Sequence, residues 1–309
     1  MMTEMLIPLL TAAVQSGTPI LFATLGEMFT ERAGVLNLGV EGMMIVGALA
    51  AFLVSLATGN PWLGVLAAGC AAAALGALHG LVCLSFLGNQ VVSGLALTIL
   101  GVGLANYLGT PYIGKQAPGF YAFDLPFLST LPFVGKIFFK HDALVYLSYV
   151  MPLAFWFFWH RTRTGLALTA AGEYPPAASA AGLNPVRLRW LGILGGGFLV
   201  GIGGAYLSLA YTHLWTNGMT AGRGWIAVAL VIFAFWRPGR AVFGAYLFGG
   251  VMAFQLRLQA SGTQVPSSFL LMLPYGLTIA ALLFSALRGR GGSSSSAPAA
   301  LGVNIEPEQ

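Results

Sequence analysis

Ionisable and polar side chains concentrate in one short stretch near the start of a very apolar chain. Residues 27–42 hold four ionisable side chains, one asparagine and three glycines, at Glu27, Glu31, Arg32, Glu41, Asn37, Gly34, Gly39 and Gly42. Glycine permits a helix to break, and a broken helix exposes backbone donors and acceptors that can line a polar path. Five residues are candidates for lining that path: Asn37, Gly39, Glu41, Gln90 and Asn106. The alternative is an ordinary surface turn with Glu31 and Arg32 in solvent.

A second polar stretch lies between residues 161 and 189, bracketed by four arginines. The alanine run that follows Pro175 and Pro176 predicts a short helix, because proline is well tolerated in a first helical turn, and Gly182 is expected to end it. Such a helix offers a docking surface; the alternative is a bare connector, although about 25 residues is long for one. The candidate docking residues are Gly172, Glu173, Ala177, Ala178, Ala181, Gly182, Asn184 and Pro185.

Residues for covalent or metal chemistry are scattered. Cys70 and Cys83 do not have metal-ligand spacing, and His79 and His213 have no second ligand at helical spacing, so no metal site is expected. Between residues 42 and 159 the carboxylates are Asp124 and Asp142 alone, and residues 189–287 contain none. Ion-coupled carriers usually need carboxylates within the membrane, so the energy for uphill transport must come from elsewhere, or there is none and the protein is a passive channel.

The elements that position these residues are long apolar segments. Of 309 residues 57% are hydrophobic and 7% charged, with a mean hydropathy of +0.82. This composition predicts an all-α integral membrane protein with about nine (eight to ten) spanning helices in one domain, 1–290. The predicted spans are Leu6–Phe29, Val40–Leu56, Trp62–Phe86, Val91–Leu108, Ala143–Trp159, Leu191–Ala210, Trp225–Phe235, Val242–Leu258 and Phe269–Leu287. Pro19 makes the first quarter the place where this count is weakest.

The net charge of +5 reports topology, because the arginines cluster at the ends of apolar segments and form no basic face for nucleic acid. Three arginine-bearing connections, near residues 161–189, 237–240 and 288–290, are expected on the cytoplasmic side. Segment 109–142 is then an ordered external loop. The small, polar tail 291–309 is expected to be a disordered, dispensable cytoplasmic segment.

Four ordered blocks carry a family resemblance: ERAGVLNLGVEGMMIVGA from Glu31, GNQVVSGLALTILGVGL from Gly88, GEYPPAASAAGLNP from Gly172, and residues 222–238. They resemble the permeases of bacterial ABC importers for simple sugars and nucleosides, which are paired with basic-membrane-protein-type binding lipoproteins and are related to ribose and branched-chain amino acid permeases. Tyr174 and Pro176 depart from the family pattern, in which an asparagine and a residue that is commonly basic stand at these positions.

The resemblance implies a type II importer permease in the inner, cytoplasmic membrane of a bacterium, without catalysis of its own. Two permeases, identical or homologous, would enclose one path for a nucleoside or a simple sugar. The segment about 161–189 would dock on a separate ATPase that uses ATP and magnesium, so no cofactor is expected on this chain. An extracytoplasmic binding lipoprotein would deliver the solute, and the bilayer would surround the helices. The alternatives are a passive channel or facilitator and, third, a membrane-embedded enzyme.

Overall fold

The computed structural model describes residues 2–263, 265–289 and 297–305. In these ranges the chain forms twelve α-helices and one two-stranded sheet. The helices are α1 (Met2–Arg32), α2 (Val40–Thr58), α3 (Pro61–Gly80), α4 (Gln90–Gly109), α5 (Val134–Phe138), α6 (Ala143–Arg161), α7 (Arg163–Glu173), α8 (Pro175–Ala180), α9 (Pro185–Tyr206), α10 (Arg223–Ala234), α11 (Pro238–Ala260) and α12 (Ser267–Gly289). The π-helical turns Leu81–Ser85 and Leu207–Tyr211 extend α3 and α9. The predicted all-α fold is confirmed.

Each of the nine predicted spans corresponds to an apolar helix, but they differ in length. Within the described residues seven helices are long and apolar enough to cross a membrane, namely α1, α2, α3, α4, α6, α9 and α11 with their extensions. The prediction of a span at Trp225–Phe235 is wrong in one respect, because the 12 residues of α10 reach only about 18 Å and a hydrocarbon core is about 30 Å thick. Within α12, Ser267–Ala280 is a shorter apolar helical segment.

Helix α1 lies at the centre of the bundle and packs along α9 and α11. It runs without interruption through Pro8 and Pro19, so the doubt attached to Pro19 is resolved in favour of one continuous helix. Its contact with α9 is close because both helices present glycine. A Cβ on Gly26 would lie 2.5 Å from the carbonyl oxygen of Gly196, which leaves no room for a larger residue. Small residues at helix contacts are how membrane helices pack tightly without a hydrophobic driving force.

The bundle has two polar faces, which we name by their composition. The arginine face carries the exposed Arg161, Arg163, Arg187, Arg237 and Arg240. The loop face carries segment 110–142, where Thr11 of α1 donates to the carbonyl of Lys136 at 3.3 Å. Thr11 and Arg32 lie 21 residues apart on α1, about 32 Å along the axis, so the two faces are separated by about the thickness of a hydrocarbon core. Which face is cytoplasmic stays a prediction.

The loop on the loop face is ordered. Strands β1 (Phe123–Asp124) and β2 (Lys140–His141) pair antiparallel, and Lys140 forms an ion pair with Asp124 at 2.8 Å. His141 is buried beneath them, and its Nε2 donates to the carbonyl of Ile137 at 2.7 Å. Burial lowers the pKa of His141, although that hydrogen bond and the neighbouring Asp142 act in the opposite direction. Asp142 caps α6 by accepting from the amides of Leu144 and Val145.

The expectation of a disordered tail is wrong for residues 297–305. This segment lies against the arginine face, where Ala300 is 8% exposed and its amide donates to the carbonyl of Gly172 at 2.9 Å. Composition suggested disorder because the segment is too short to bury a core of its own. It is ordered instead by hydrogen bonds between its backbone and polar groups of the bundle. The remaining tail residues, 291–296 and 306–309, lie outside the described part of the chain.

Candidate translocation and docking sites

The polar stretch near the start of the chain forms a break between α1 and α2. We call residues 33–39 the glycine break. The backbone turns at Gly34, whose φ of +88° is a left-handed conformation that favours glycine. The break then passes into the bundle along α4, since the amide of Leu36 donates to Gln90 Oε1 at 2.8 Å and the carbonyl of Leu38 accepts from Thr98 Oγ1 at 2.8 Å. Helix α2 therefore begins inside the bundle and not at its surface.

The alternative of an ordinary solvated turn does not fit this structure. Glu31 and Asn37 are each 1% exposed. The amide of Asn37 donates to Glu27 Oε1 at 3.1 Å, its Oδ1 accepts from the amide of Gly39 at 2.8 Å, and its Nδ2 lies 3.2 Å from the sulfur of Met43. Asn37 therefore fixes the shape of the glycine break with its own polar groups.

Gly39 lies where there is no room for a side chain. A Cβ there would lie 2.6 Å from Leu97 Cδ2 and 2.8 Å from Asn37 Oδ1. Its φ of −84° is ordinary, so close packing and not backbone conformation selects glycine. The break and α4 are thus held in contact by a residue without a side chain.

Glu41 joins the start of α2 to the start of α10. Its Oε1 accepts from Thr220 Oγ1 at 2.6 Å and from the amide of Gly222 at 2.9 Å, and its Oε2 accepts from the amide of Gly224 at 2.7 Å. A carboxylate at a helix N-terminus satisfies free amides and complements the positive end of the helix dipole. The N-terminal ends of α2 and α10 therefore meet at polar groups within the bundle, and helix ends inside the membrane are typical of binding sites in transporters.

Arg223 lies beside this junction and was not among the sequence candidates. It is 7% exposed, its Nη1 donates to the carbonyls of Met219 and Thr220 at 3.2 and 3.1 Å, and its guanidinium lies 5.8 Å from the ring centre of Tyr211. The signal that could have identified it is a lone arginine between two glycines at the head of an apolar run, at residues 222–224. Ionisable residues inside a membrane bundle are costly and usually serve function.

The five path candidates do not form one cluster. Asn37, Gly39, Glu41 and Gln90 all lie at or beside the glycine break. Asn106 is sixteen residues beyond Gln90 on α4, about 24 Å away and near the loop face. Its Oδ1 is buried without a hydrogen-bond partner among the described residues. Asn106 therefore lies apart from the other four, and its place on the path stays a prediction.

Glu27 and Glu31 form a buried pair one helical turn apart on α1, next to the break. Trp236 Nε1 donates to Glu31 Oε2 at 2.6 Å. The neighbouring Arg32 instead donates to the carbonyl of Trp236 at 2.9 Å and lies 4.4 Å from the ring centre of Trp159. These residues tie the end of α1 to the segment that follows α10. The charges of these residues are evident in the sequence, but their partners on the segment after α10 are not.

The docking segment contains the predicted short helix. Helix α8 begins at Pro175, and the chain turns at Gly182 with a φ of +78°, as expected from the prolines and the glycine. Five of the eight docking candidates are exposed on the arginine face: Glu173, Ala177, Ala181, Gly182 and Asn184. Asn184 also caps α9 by accepting from the amide of Arg187 at 3.0 Å. A partner protein could therefore reach these five directly.

Three docking candidates are not available to a partner, and the prediction needs correction for them. Gly172, Ala178 and Pro185 are buried within this chain. A Cβ on Gly172 would overlap the carbonyl oxygen of Arg32 and lie 3.1 Å from the amide of Gly34, so α7 packs directly on the glycine break. Ala178 is 2% exposed, so a larger side chain there would disturb internal packing and not a partner contact. These three residues position the docking surface from beneath.

A bundle of long apolar helices in which two helices begin at a polar junction inside the bundle, with a short exposed helix on one face, defines a polytopic membrane permease. The chain belongs to the family described as the permease component of branched-chain amino acid transport systems, whose model matches residues 9–282. The expectation of a transport permease is confirmed by this membership.

Several relatives are similar over most of their length. The chain is 48% identical over 256 residues to the putative glucose ABC transporter permease protein TsgC13 of Haloferax volcanii, covering 82% of this chain and 78% of the relative. It is 33% identical over 288 residues to the guanosine ABC transporter permease protein NupQ of Bacillus subtilis, covering 88% and 89%. It is 34% identical over 281 residues to the nucleoside ABC transporter permease protein NupC of Lactococcus lactis, covering 86% and 88%.

Proposed function

We propose that this chain is the membrane-spanning permease subunit of an ATP-driven importer and passes a nucleoside or a simple sugar into the cytoplasm. The observation that carries the proposal is the short helix α8, exposed on the arginine face between the spanning helices α6 and α9. A passive channel needs no such docking helix. The similar permeases named for glucose, guanosine and nucleoside transport supply the solute class.

The chain contributes a path and a docking surface, and the chemistry of ATP and magnesium belongs to a partner ATPase. The arginine face, with the tail beside it, is placed in the cytoplasm because short loops rich in arginine stay on that side. A second permease, identical or homologous, completes the path, and an extracytoplasmic binding protein delivers the solute at the loop face. The path runs past the junction of Glu41 with α10, where polar groups lie inside the apolar bundle.

A pair of alanine variants tests the docking surface. Ala181 is exposed at the end of α8, and Ala122 is exposed on the loop face. We expect Ala181→Trp to reduce co-purification of the ATPase and ATP-dependent uptake, since a bulky group blocks close approach, whereas Ala122→Trp should leave co-purification unchanged. Uptake of radiolabelled guanosine and glucose by proteoliposomes gives the second measurement. Full-rate flux without any ATPase, indifferent to Ala181→Trp, would establish the passive channel instead.

A further inference from the structure

The ordered end of the chain, residues 297–305, lies between the docking segment and the glycine break. We call it the C-terminal strap. It forms one wall of a groove of about 870 Å³ on the arginine face, and the docking segment from Glu173 to Val186 forms the other wall. The strap therefore lies beside the docking segment, where a partner bound to α8 would contact it.

The strap is fixed to the docking segment by its backbone. The amide of Ala300 donates to the carbonyl of Gly172 at 2.9 Å, and the amide of Ala299 donates to Glu173 Oε2 at 3.2 Å. The fully buried Arg189, at the start of α9, donates to the carbonyls of Val303 at 2.6 Å and Ala300 at 3.2 Å. Hydrogen bonds from a charged donor are among the stronger ones in proteins. These contacts therefore make the strap move together with α7 and α9.

The strap is also fixed to the glycine break and to the start of α4. The amide of Gly302 donates to the carbonyl of Gly34 at 3.3 Å. Asn304 donates to the carbonyl of Leu87 at 2.7 Å and accepts from Gln90 Nε2 at 3.0 Å. The other amide atom of Gln90 accepts from the amide of Leu36 inside the break. The strap therefore contacts the glycine break in two ways, directly at Gly34 and through the side chain of Gln90 at Leu36.

We propose that the C-terminal strap is a coupling element, which transmits movement of the docking segment to the glycine break through Asn304 and Gln90. The proposal rests on the proposed function, since it requires an ATPase on the docking segment. Gly172 also contacts Gly34 directly, so the strap gives the same two segments a second connection. Asn304 and Gln90 are positioning residues, because they act on the path through the break and need not touch the solute.

The test compares two asparagines beside the same residue. Asn304→Ala removes the three hydrogen bonds that its side chain makes with Gln90 of α4 and with Leu87 and Gly88 of the preceding turn. Asn89→Ala removes the cap that accepts from the amide of Val92 at 3.0 Å, next to Gln90, without touching the strap. The assay uses proteoliposomes that contain the ATPase and the binding protein. We expect Asn304→Ala to keep the ATPase bound. The ratio of guanosine or glucose transported to ATP hydrolysed should fall at least about fivefold, which is the lower range of coupling between sites. Asn89→Ala should lower thermal stability alone.

A conservative variant separates coupling from folding. Asn304→Gln keeps both the amide oxygen that accepts from Gln90 Nε2 and the amide nitrogen that donates to the carbonyl of Leu87, and it should hold the ratio within about twofold of the native value. Equal ratios of solute moved per ATP in Asn304→Ala and Asn89→Ala would overturn the coupling role. Release of the ATPase by Asn304→Ala would also overturn it. Neither outcome would contradict the proposed docking surface. If Ala181→Trp also retains the ATPase, the docking surface itself is wrong, and the coupling role is refuted with it.

Discussion

Removing the charge of Glu41 should loosen the junction of α2 with α10 without abolishing the fold. In Glu41→Gln one oxygen can still accept from Thr220 and Gly222, but the new amide nitrogen faces the amide of Gly224, which Oε2 now satisfies at 2.7 Å. A buried donor left unpaired costs about 1–3 kcal/mol, and loss of a carboxylate at a helix N-terminus costs about 0.3–1 kcal/mol. We expect a loss of about 2–3 kcal/mol in the free energy of unfolding.

The measurement is thermal unfolding in detergent, followed with a thiol-reactive fluorophore. Cys83 is buried and reports opening, whereas the exposed Cys70 reacts before the ramp. At about 2 °C per kcal/mol for a chain of this size, the midpoint should fall by about 4–6 °C. Asp124→Asn, which removes only an exposed surface ion pair with Lys140, is the matched control and should change the midpoint little. A double-mutant cycle with Thr220→Val should show coupling of at least about 0.5 kcal/mol. An unchanged midpoint with additive effects would refute the assignment of Glu41 to this junction.

Three further outcomes follow from the structure. Gly39→Ala forces a methyl group against a leucine of α4 and should cost about 1–3 kcal/mol in thermal unfolding, whereas Gly103→Ala, which meets nothing within 4 Å, should not; equal costs would contradict the packing argument. Cysteines at Ser129 and Ser179 should react with an impermeant reagent from opposite sides of the membrane, and equal reactivity from outside would overturn the topology. Because burial lowers the pKa of His141, the unfolded chain binds its proton at higher pH, so stability should fall below about pH 6.5, and His141→Asn should flatten that fall in melts at several pH values.

Much of the fold could be predicted because apolar run length and proline position act locally. Each of the nine predicted spans has a corresponding helix, and Pro175 begins α8 because its ring geometry suits a first helical turn. The shortness of α10 was already legible in the sequence, because the predicted run Trp225–Phe235 holds 11 residues and a span needs about 20. Hydropathy could not show that this run begins at a polar junction within the bundle.

The candidate site was predictable in part. The glycines located the break, but the partners of Glu41 lie about 180 residues further along the chain and could not be paired with it by spacing. The strap was misjudged for a related reason. Its composition cannot support a core, yet Arg189 and Gly172 present a buried cation and a free carbonyl that its backbone completes. Order that depends on distant groups leaves little trace in local composition.

The shortness of α10 has a consequence for how the protein is built during synthesis. A twelve-residue helix cannot span the hydrocarbon core by itself, and its first amides would enter lipid without partners. Those amides are satisfied by Glu41 at the start of α2, which leaves the ribosome long before them. Helix α10 must therefore be assembled against a preformed α1–α2 scaffold and not be inserted on its own. Glu41 is thus expected to guide membrane integration as well as the finished bundle.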